Sequence, residues 1–316
     1  MFPSVSIIIA VKANNRFLEE CVSHCLKLDY PFFEIIILPD ENEEIYSDKR
    51  IKIIPTGRVL PAAKRDIGAA EAQGQILAFL DDDTYPNSEW LKQAALGFKD
   101  KEVACVCGPA VTPENDLLLS KASGKVYESF IVSGPARFRY SPLKKRYTDD
   151  FPSCNFLIRK DVFLEIGGFN SKFWPGEDTI LCLEVVHHLK KKILYDPLVL
   201  VYHYRRPLFR KHLEQVASYA KHRGYFLKRY PKTSFRLGYF CPTAILCTII
   251  TSLVLGLTLD YRFFSIPITY LIIVFAFSIK NSLKLHFLVF LGIILTHLTY
   301  GLNFIIGLFS RKLREE

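Results

Sequence analysis

Residues 74–83 read Gly-Gln-Ile-Leu-Ala-Phe-Leu-Asp-Asp-Asp. Five apolar positions behind a turn-forming glycine have the length of a strand buried on both faces, too short for a core helix. Three acids, Asp81, Asp82 and Asp83, arrive where that strand leaves its sheet. Consecutive carboxylates repel one another and serve no packing purpose. Divalent Mg2+ or Mn2+ takes oxygen ligands and shares them with substrate phosphates. A metal joining Asp81 and Asp83 to a diphosphate therefore gives the run a reason. A solvated acidic turn before the next helix is the plainer alternative, and the string alone does not separate the two.

Working outward, the same alternation repeats. Strands are expected at Val5–Val11, Phe33–Leu38, Ile51–Ile54, Val103–Cys107, Asn155–Arg159 and Ile193–His203. Helical spacing marks Arg16–Leu28, Ala62–Gln73, Trp90–Phe98, Lys160–Ile166 and Glu177–Leu189. Asp116–Lys145 carries Gly, Pro, Ser and basic residues and reads as a loop-rich insertion. This is an α/β domain with a mostly parallel, Rossmann-like sheet, in which ligands bind at the carboxyl ends of strands. Asp40, after Phe33–Leu38, and the acids at 81–83 both fall at such ends.

The 316 residues have a mean hydropathy of +0.15, and the apolar residues concentrate after Leu237. Leu237–Leu259 and Leu285–Phe309 are long enough to span a bilayer, and Phe263–Ile279 is marginal. Three spans would carry Arg311, Lys312 and Arg314 to the far side, against the positive-inside tendency. A middle run that re-enters or lies flat would bring them back. Ten Lys/Arg and one acid, Glu214, lie between Tyr202 and Arg236, matching the whole chain's formal charge of +9. Pro207 is placed to open a helix whose Phe209, Leu213, Val216 and Ala220 share one face, as in an interfacial amphipathic segment. A basic block beside apolar runs points to the cytoplasmic membrane surface. No nucleic-acid motif accompanies the charge, so nucleic acid is not an expected partner.

The expected organisation is a catalytic domain over 1–203, a basic amphipathic segment over 204–236 and a membrane region over 237–316. The first apolar run is too short, and its flanks are wrong, for a signal peptide. The domain is accordingly expected in the cytoplasm, on a multi-pass protein of the cell membrane. Eight scattered cysteines form no CxxC pair and read as buried small hydrophobes in a reducing compartment.

With these stretches in order, the chain resembles the family 2 glycosyltransferases of GT-A fold. Val5–Ile9 is similar to the family's first strand, and Glu34–Asp40 to the strand whose terminal acid contacts the nucleoside. Ala63-Lys64-Arg65-Asp66-Ile67-Gly68 resembles a donor-binding segment, with Asp66 where the family usually has Asn. Residues 74–83 resemble the strand that carries the metal motif. Asn155 to Phe169 looks like the acceptor side. Gly176-Glu177-Asp178 resembles the acidic motif that supplies the catalytic base. The resemblance implies sugar transfer from a nucleotide-sugar donor, with inversion, onto a lipid-linked or saccharide acceptor in glycan assembly. It implies Asp178 as base with Glu177 second, and Asp40, Lys64, Arg65, Asp81 and Asp82 about the donor. Asp81 and Asp83 would hold Mn2+ or Mg2+, a shell His203 is placed to complete.

Without the resemblance, Glu177-Asp178 is equally well explained as helix N-terminal charge, and His203 and Trp174 as packing residues. A processive polysaccharide synthase is the rival enzyme, but Gln215 is followed by Val216-Ala217-Ser218-Tyr219 rather than its usual Gln-x-x-Arg-Trp. A non-catalytic nucleotide-binding membrane scaffold is the rival outside enzymes.

Overall fold

The computed structural model describes residues 2–42, 46–279 and 282–313. Elements follow in chain order as β1 (Val5–Ala10), α1 (Arg16–Leu26), β2 (Phe33–Leu38), β3 (Ile51–Ile53), α2 (Pro61–Glu71), β4 (Ile76–Asp81), β5 (Thr84–Pro86), α3 (Trp90–Gly97), β6 (Val103–Cys107) and β7 (Ala110–Val111). Next come α4 (Leu118–Glu128), α5 (Phe130–Ser133), β8 (Arg146–Thr148), β9 (Asn155–Arg159), α6 (Lys160–Glu165), α7 (Glu177–Leu183), β10 (Lys192–Tyr195) and β11 (Val201–His203). The rest is helical: α8 (Arg210–Arg229), α9 (Pro231–Ser234), α10 (Leu237–Thr258), α11 (Ser265–Ser278) and α12 (Leu283–Phe309).

Two compact units divide the chain. The first comprises 1–111 and 141–204, the second 112–140 and 205–314. Unit 1 holds an eight-stranded sheet in the order β3-β2-β1-β4-β9-β6-β10-β8. β3, β2, β1 and β4 run parallel, β9 runs antiparallel between β4 and β6, and β8 closes the edge antiparallel to β10. The carboxyl ends of β1, β2 and β4 therefore open on one edge, with Ala10 level with both Leu38 and Asp81. Ile7, Ile9, Ile35, Ile37, Ala78 and Leu80 are sealed in the core, as unbroken apolar strands require.

A second sheet, β5-β11-β7, stands at that edge. Its pairing puts His203 opposite Thr84, one residue past Asp83. Asn155 fastens this region from inside, accepting from Trp90 Nε1 at 2.9 Å and donating to the carbonyls of Gly108 and Val199 at 2.7 and 2.8 Å. Gly108 is required there, because a Cβ would come 1.8 Å from the Val199 oxygen.

Three sequence readings are corrected. The expected strand Ile193–His203 is two strands in two sheets, because Asp196 and Pro197 end β10 and a turn follows. The helix from Glu177 stays α-helical only to Leu183, and Glu184–His188 is π-helical. The insertion Asp116–Lys145 is largely helical, with α4, α5 and a 3-10 turn over Gly134–Arg139. Its Gly124 lies where a β-carbon would strike Thr112, which is a packing reason for the glycine rather than a loop.

Within unit 2, α8 begins at Arg210, three residues after Pro207. Its buried residues include His212, Val216 and Ala220, a histidine taking a place expected of an aliphatic residue. Three helical segments, Leu237–Thr258, Tyr261–Ser278 and Leu283–Phe309, are long and apolar enough to cross a membrane. Arg314, which entered the reading of the tail, lies outside the described residues.

Candidate active site

β4 delivers Asp81 at its last position, and the chain turns through Asp82 and Asp83 into β5, the turn closed by Thr84 Oγ1 donating to the Asp81 carbonyl at 2.7 Å. Strand pairing then brings His203 over the turn. Its Nε2 lies 3.1 Å from Asp83 Oδ1, and the Tyr204 amide donates to the Asp83 carbonyl at 3.0 Å. Asp81, Asp83 and His203 each offer one ligand atom, all within 4.8 Å of one another. Two carboxylates and an imidazole, partly open to solvent, fit a divalent cation that accepts mixed oxygen and nitrogen ligands.

Asp82 turns away from this group. Its Oδ2 accepts from Asn15 Nδ2 at 2.8 Å, while Asn15 Oδ1 caps α1 by accepting from the Phe17 and Leu18 amides. Burial pushes the Asp82 carboxyl up to about 6, with the neighbouring Asp83 and Asp81 charges acting in the same direction and the Asn15 hydrogen bond opposing. Asn15 was not singled out from the sequence. The available signal was an N-cap residue immediately before a helical pattern.

Arg65, on α2, ties the metal side to the far acidic pair. Its Nη2 donates to Asp81 Oδ1 at 2.7 Å and its Nη1 to Glu177 Oε1 at 3.1 Å. Arg65 and Glu177 are only 4% and 5% exposed. Phe169 lies beneath the guanidinium, 5.5 Å from its ring centre, and Arg65 Nε is buried without a hydrogen-bond acceptor. Burial pushes the Glu177 carboxyl up to about 7, the Asp178 charge adding to the rise and Arg65 holding it back. Asp178 is more open, and its Oδ1 accepts from the Thr179 amide at 2.7 Å.

Two further residues of α2 act on backbone. Lys64 Nζ is held by three oxygens: the Val11 carbonyl at 2.7 Å, the Leu38 carbonyl at 3.0 Å and Asp40 Oδ1 at 2.6 Å. It therefore pins the ends of β1 and β2 and orients Asp40. Asp66 accepts from the Phe169 and Asn170 amides at 2.8 and 3.1 Å. Gly168, at φ 79°, lies so close that a Cβ would come 2.6 Å from Asp66 Oδ1. The departure noted at position 66 is thus an anchor for the segment leading to Glu177. Trp174, in that segment, is 48% exposed rather than packed in the core. Asp150 is buried and accepts from Thr179 Oγ1 at 3.1 Å, which makes it a support for α7.

The family model described as glycosyl transferase family 2 matches residues 6–167. A pre-mycofactocin glycosyltransferase of Mycobacterium tuberculosis is 29% identical over 160 residues, 50% of this chain and 33% of that protein. The chain thus spans about a third of the length of this relative. Glucosyl-dolichyl phosphate glucuronosyltransferase of Haloferax volcanii is 21% identical over 218 residues, 63% of this chain and 68% of its own length. Among solved structures, a mannosyltransferase of Pyrobaculum calidifontis, in complex with GDP-Man and Mn2+, superposes with a TM-score of 0.58 at 15% identity over 99% of this chain and 89% of that one. That likeness is one of fold, and the expected GT-A fold is the one found.

Proposed function

The chain belongs to glycosyl transferase family 2, and from that membership we propose that it moves a sugar from a nucleotide-sugar donor onto a lipid-linked or membrane-proximal acceptor. The observation that carries the reading is the convergence of Asp81, Asp83 and His203 at the carboxyl end of β4, with Arg65 beside them. A parallel sheet binds ligands at that edge. The donor's diphosphate is the part that needs positive charge there. Bound at Asp81, Asp83 and His203, Mn2+ or Mg2+ would supply charge stabilisation for the departing nucleoside diphosphate.

The chain's own groups do the rest. Asp40, oriented by Lys64, is the candidate contact for the nucleoside. Arg65 supplies a fixed guanidinium at the diphosphate side, and Asp82, held by Asn15, shapes the turn under the donor. Asp178 takes the proton from the acceptor hydroxyl. The acceptor oxygen forms its bond to the anomeric carbon as the bond from that carbon to the phosphate oxygen breaks, and the configuration inverts. Glu177 is the less suitable base, because Arg65 already holds its carboxylate. Its role is to place α7 against Arg65, so that Asp178 is presented beside the donor.

A membrane-proximal acceptor is supported by the apolar helices of unit 2 and by the name of the Haloferax volcanii relative, which acts on a dolichyl phosphate-linked sugar. The experiment is thermal unfolding of the purified protein against nucleoside diphosphates and nucleotide-sugars, with and without Mn2+. One nucleotide class raising the midpoint only with metal supports the reading. No response to any nucleotide with metal favours the non-catalytic scaffold.

A further inference from the structure

By length and composition α12 is as good a membrane span as α10 or α11, but its surroundings within unit 2 differ. Of the apolar stretch in α10 and in the segment ending at Ser278, 11% is buried, against 39% in α12. α12 packs mainly along the polar helix α8 and against α4, while α10 and α11 meet it through contacts such as Thr243 with the Gly301 carbonyl and Tyr270 with His297. Gly292 faces Val126 of α4 and Leu208, with room for no side chain. Thr296 Oγ1 lies 2.9 Å from His212 Nε2, whose Nδ1 lies 2.7 Å from Ser123 Oγ. His297 Nε2 meets the Ile131 carbonyl at 2.9 Å. Farther along, Gly224 rests on the Phe304 carbonyl and Gly307 on the Lys221 carbonyl, where added β-carbons would come within 2.1 and 1.9 Å. Lys228 Nζ then donates to the Ser310 carbonyl at 2.7 Å.

These contacts place α8 alongside α12, pointing the same way, from Thr296 to Ser310, a length of about 21 Å at the α-helical rise. Arg210, Lys211, Glu214, Lys221, Arg223, Lys228 and Arg229 occur all along α8. If α12 crossed a bilayer, this row of charge would cross the hydrocarbon with it, which is strongly unfavourable. The open side of α12 is apolar: Phe287, Leu302, Ile306 and Phe309 are each more than two-fifths exposed and fall within an arc of about 100° on the helix. A helix with the charged α8 along one side and an exposed apolar edge on the other matches a surface-lying segment.

We propose that α12 does not cross the bilayer but lies along its surface with α8, the Phe287–Phe309 edge seated in lipid. The crossing segments are then α10 and α11, a pair that leaves and returns. Arg311 and Lys312 end on the same side as the basic α8, which removes the conflict with the positive-inside tendency. The ten Lys/Arg of 202–236 face anionic headgroups in this arrangement. This inference is independent of the transferase reading.

The test is sidedness in the full-length protein. Cys241 and Cys247 are the exposed thiols, so Cys241→Ser and Cys247→Ser remove the background. Single cysteines are then placed at Glu214→Cys on α8, Ser282→Cys before α12 and Ser310→Cys after it. A membrane-impermeant maleimide is applied to sealed inside-out and right-side-out vesicles. Both ends of α12 labelling from the same face as position 214 is the expected result. Labelling of positions 282 and 310 from opposite faces overturns the proposal. Lys284→Cys and Arg311→Cys, exposed neighbours, give the same reading if either serine variant fails to fold.

Discussion

Arg65 and Glu177, 112 positions apart in the chain, form a buried ion pair at 3.1 Å, and the same guanidinium reaches Asp81 at 2.7 Å. One side chain thereby joins the metal-binding end of β4 to the helix that carries Asp178. Removing it leaves Glu177 buried without its partner. Arg65→Met should cost about 3 kcal/mol of stability, the scale for breaking a buried pair, and abolish transfer. Arg65→Lys should recover part of the stability and little activity, because a point charge cannot serve two carboxylates as the planar fork does. Thermal unfolding and turnover check both; equal activity in wild type and Arg65→Lys would remove the bridging role.

Glu177 gives a pH signature. Its carboxyl titrates near 7 in the folded protein, above an ordinary glutamate. Between those values the folded state holds the proton more tightly than the unfolded chain. The stabilisation is therefore complete below the ordinary pKa and is lost as pH rises through about 7. Glu177→Gln should flatten the decline in melting temperature between pH 5 and 7.5. A wild type whose melting temperature rises across that range contradicts the assignment.

Much of this was legible beforehand. β4 with its three acids, the strands at 33–38, 103–107 and 155–159 and the apolar helices follow from runs of buried residues, and run length is a local property. What escaped was decided by partners distant in sequence. His203 was expected to complete the metal shell, but from the end of one long strand; it lies instead on the separate β11, which pairing with β5 sets beside Asp83. Asp66 read as a departure because its partners, the amides of Phe169 and Asn170, have no sequence signature. Lys64 read as a donor contact, and its three oxygen partners emerge only when β1 and β2 end side by side.

Asp66 is expected to act through position rather than contact. Asp66→Asn keeps one acceptor for the two amides, and Asp66→Ala keeps none. Losing hydrogen bonds to a charged acceptor costs about 1.5–3 kcal/mol each. The alanine variant should fall at least tenfold in kcat with little change in donor affinity, and the asparagine variant should recover most of the loss. A loss confined to donor affinity would move Asp66 into the donor site.

Trp174 is about half exposed just before Glu177 and Asp178, and on the proposed function it belongs to the acceptor side. Trp174→Ala should lower sugar transfer while leaving donor hydrolysis by water unchanged. Equal losses in both would make it a structural residue. Trp90, fully buried, is the only other tryptophan, so iodide quenching of intrinsic fluorescence should report Trp174 alone.

The proposed transfer depends on Asp81, Asp83 and His203 holding a divalent cation for a nucleoside diphosphate. The most direct measurement is Mn2+ binding followed by electron paramagnetic resonance, with nucleoside diphosphate present, in wild type and Asp83→Asn. One tightly bound Mn2+ is expected in the wild type and at least a tenfold weaker site in the variant, with the melting temperature of the metal-free protein little changed. Equal Mn2+ binding by the two proteins would contradict the metal assignment.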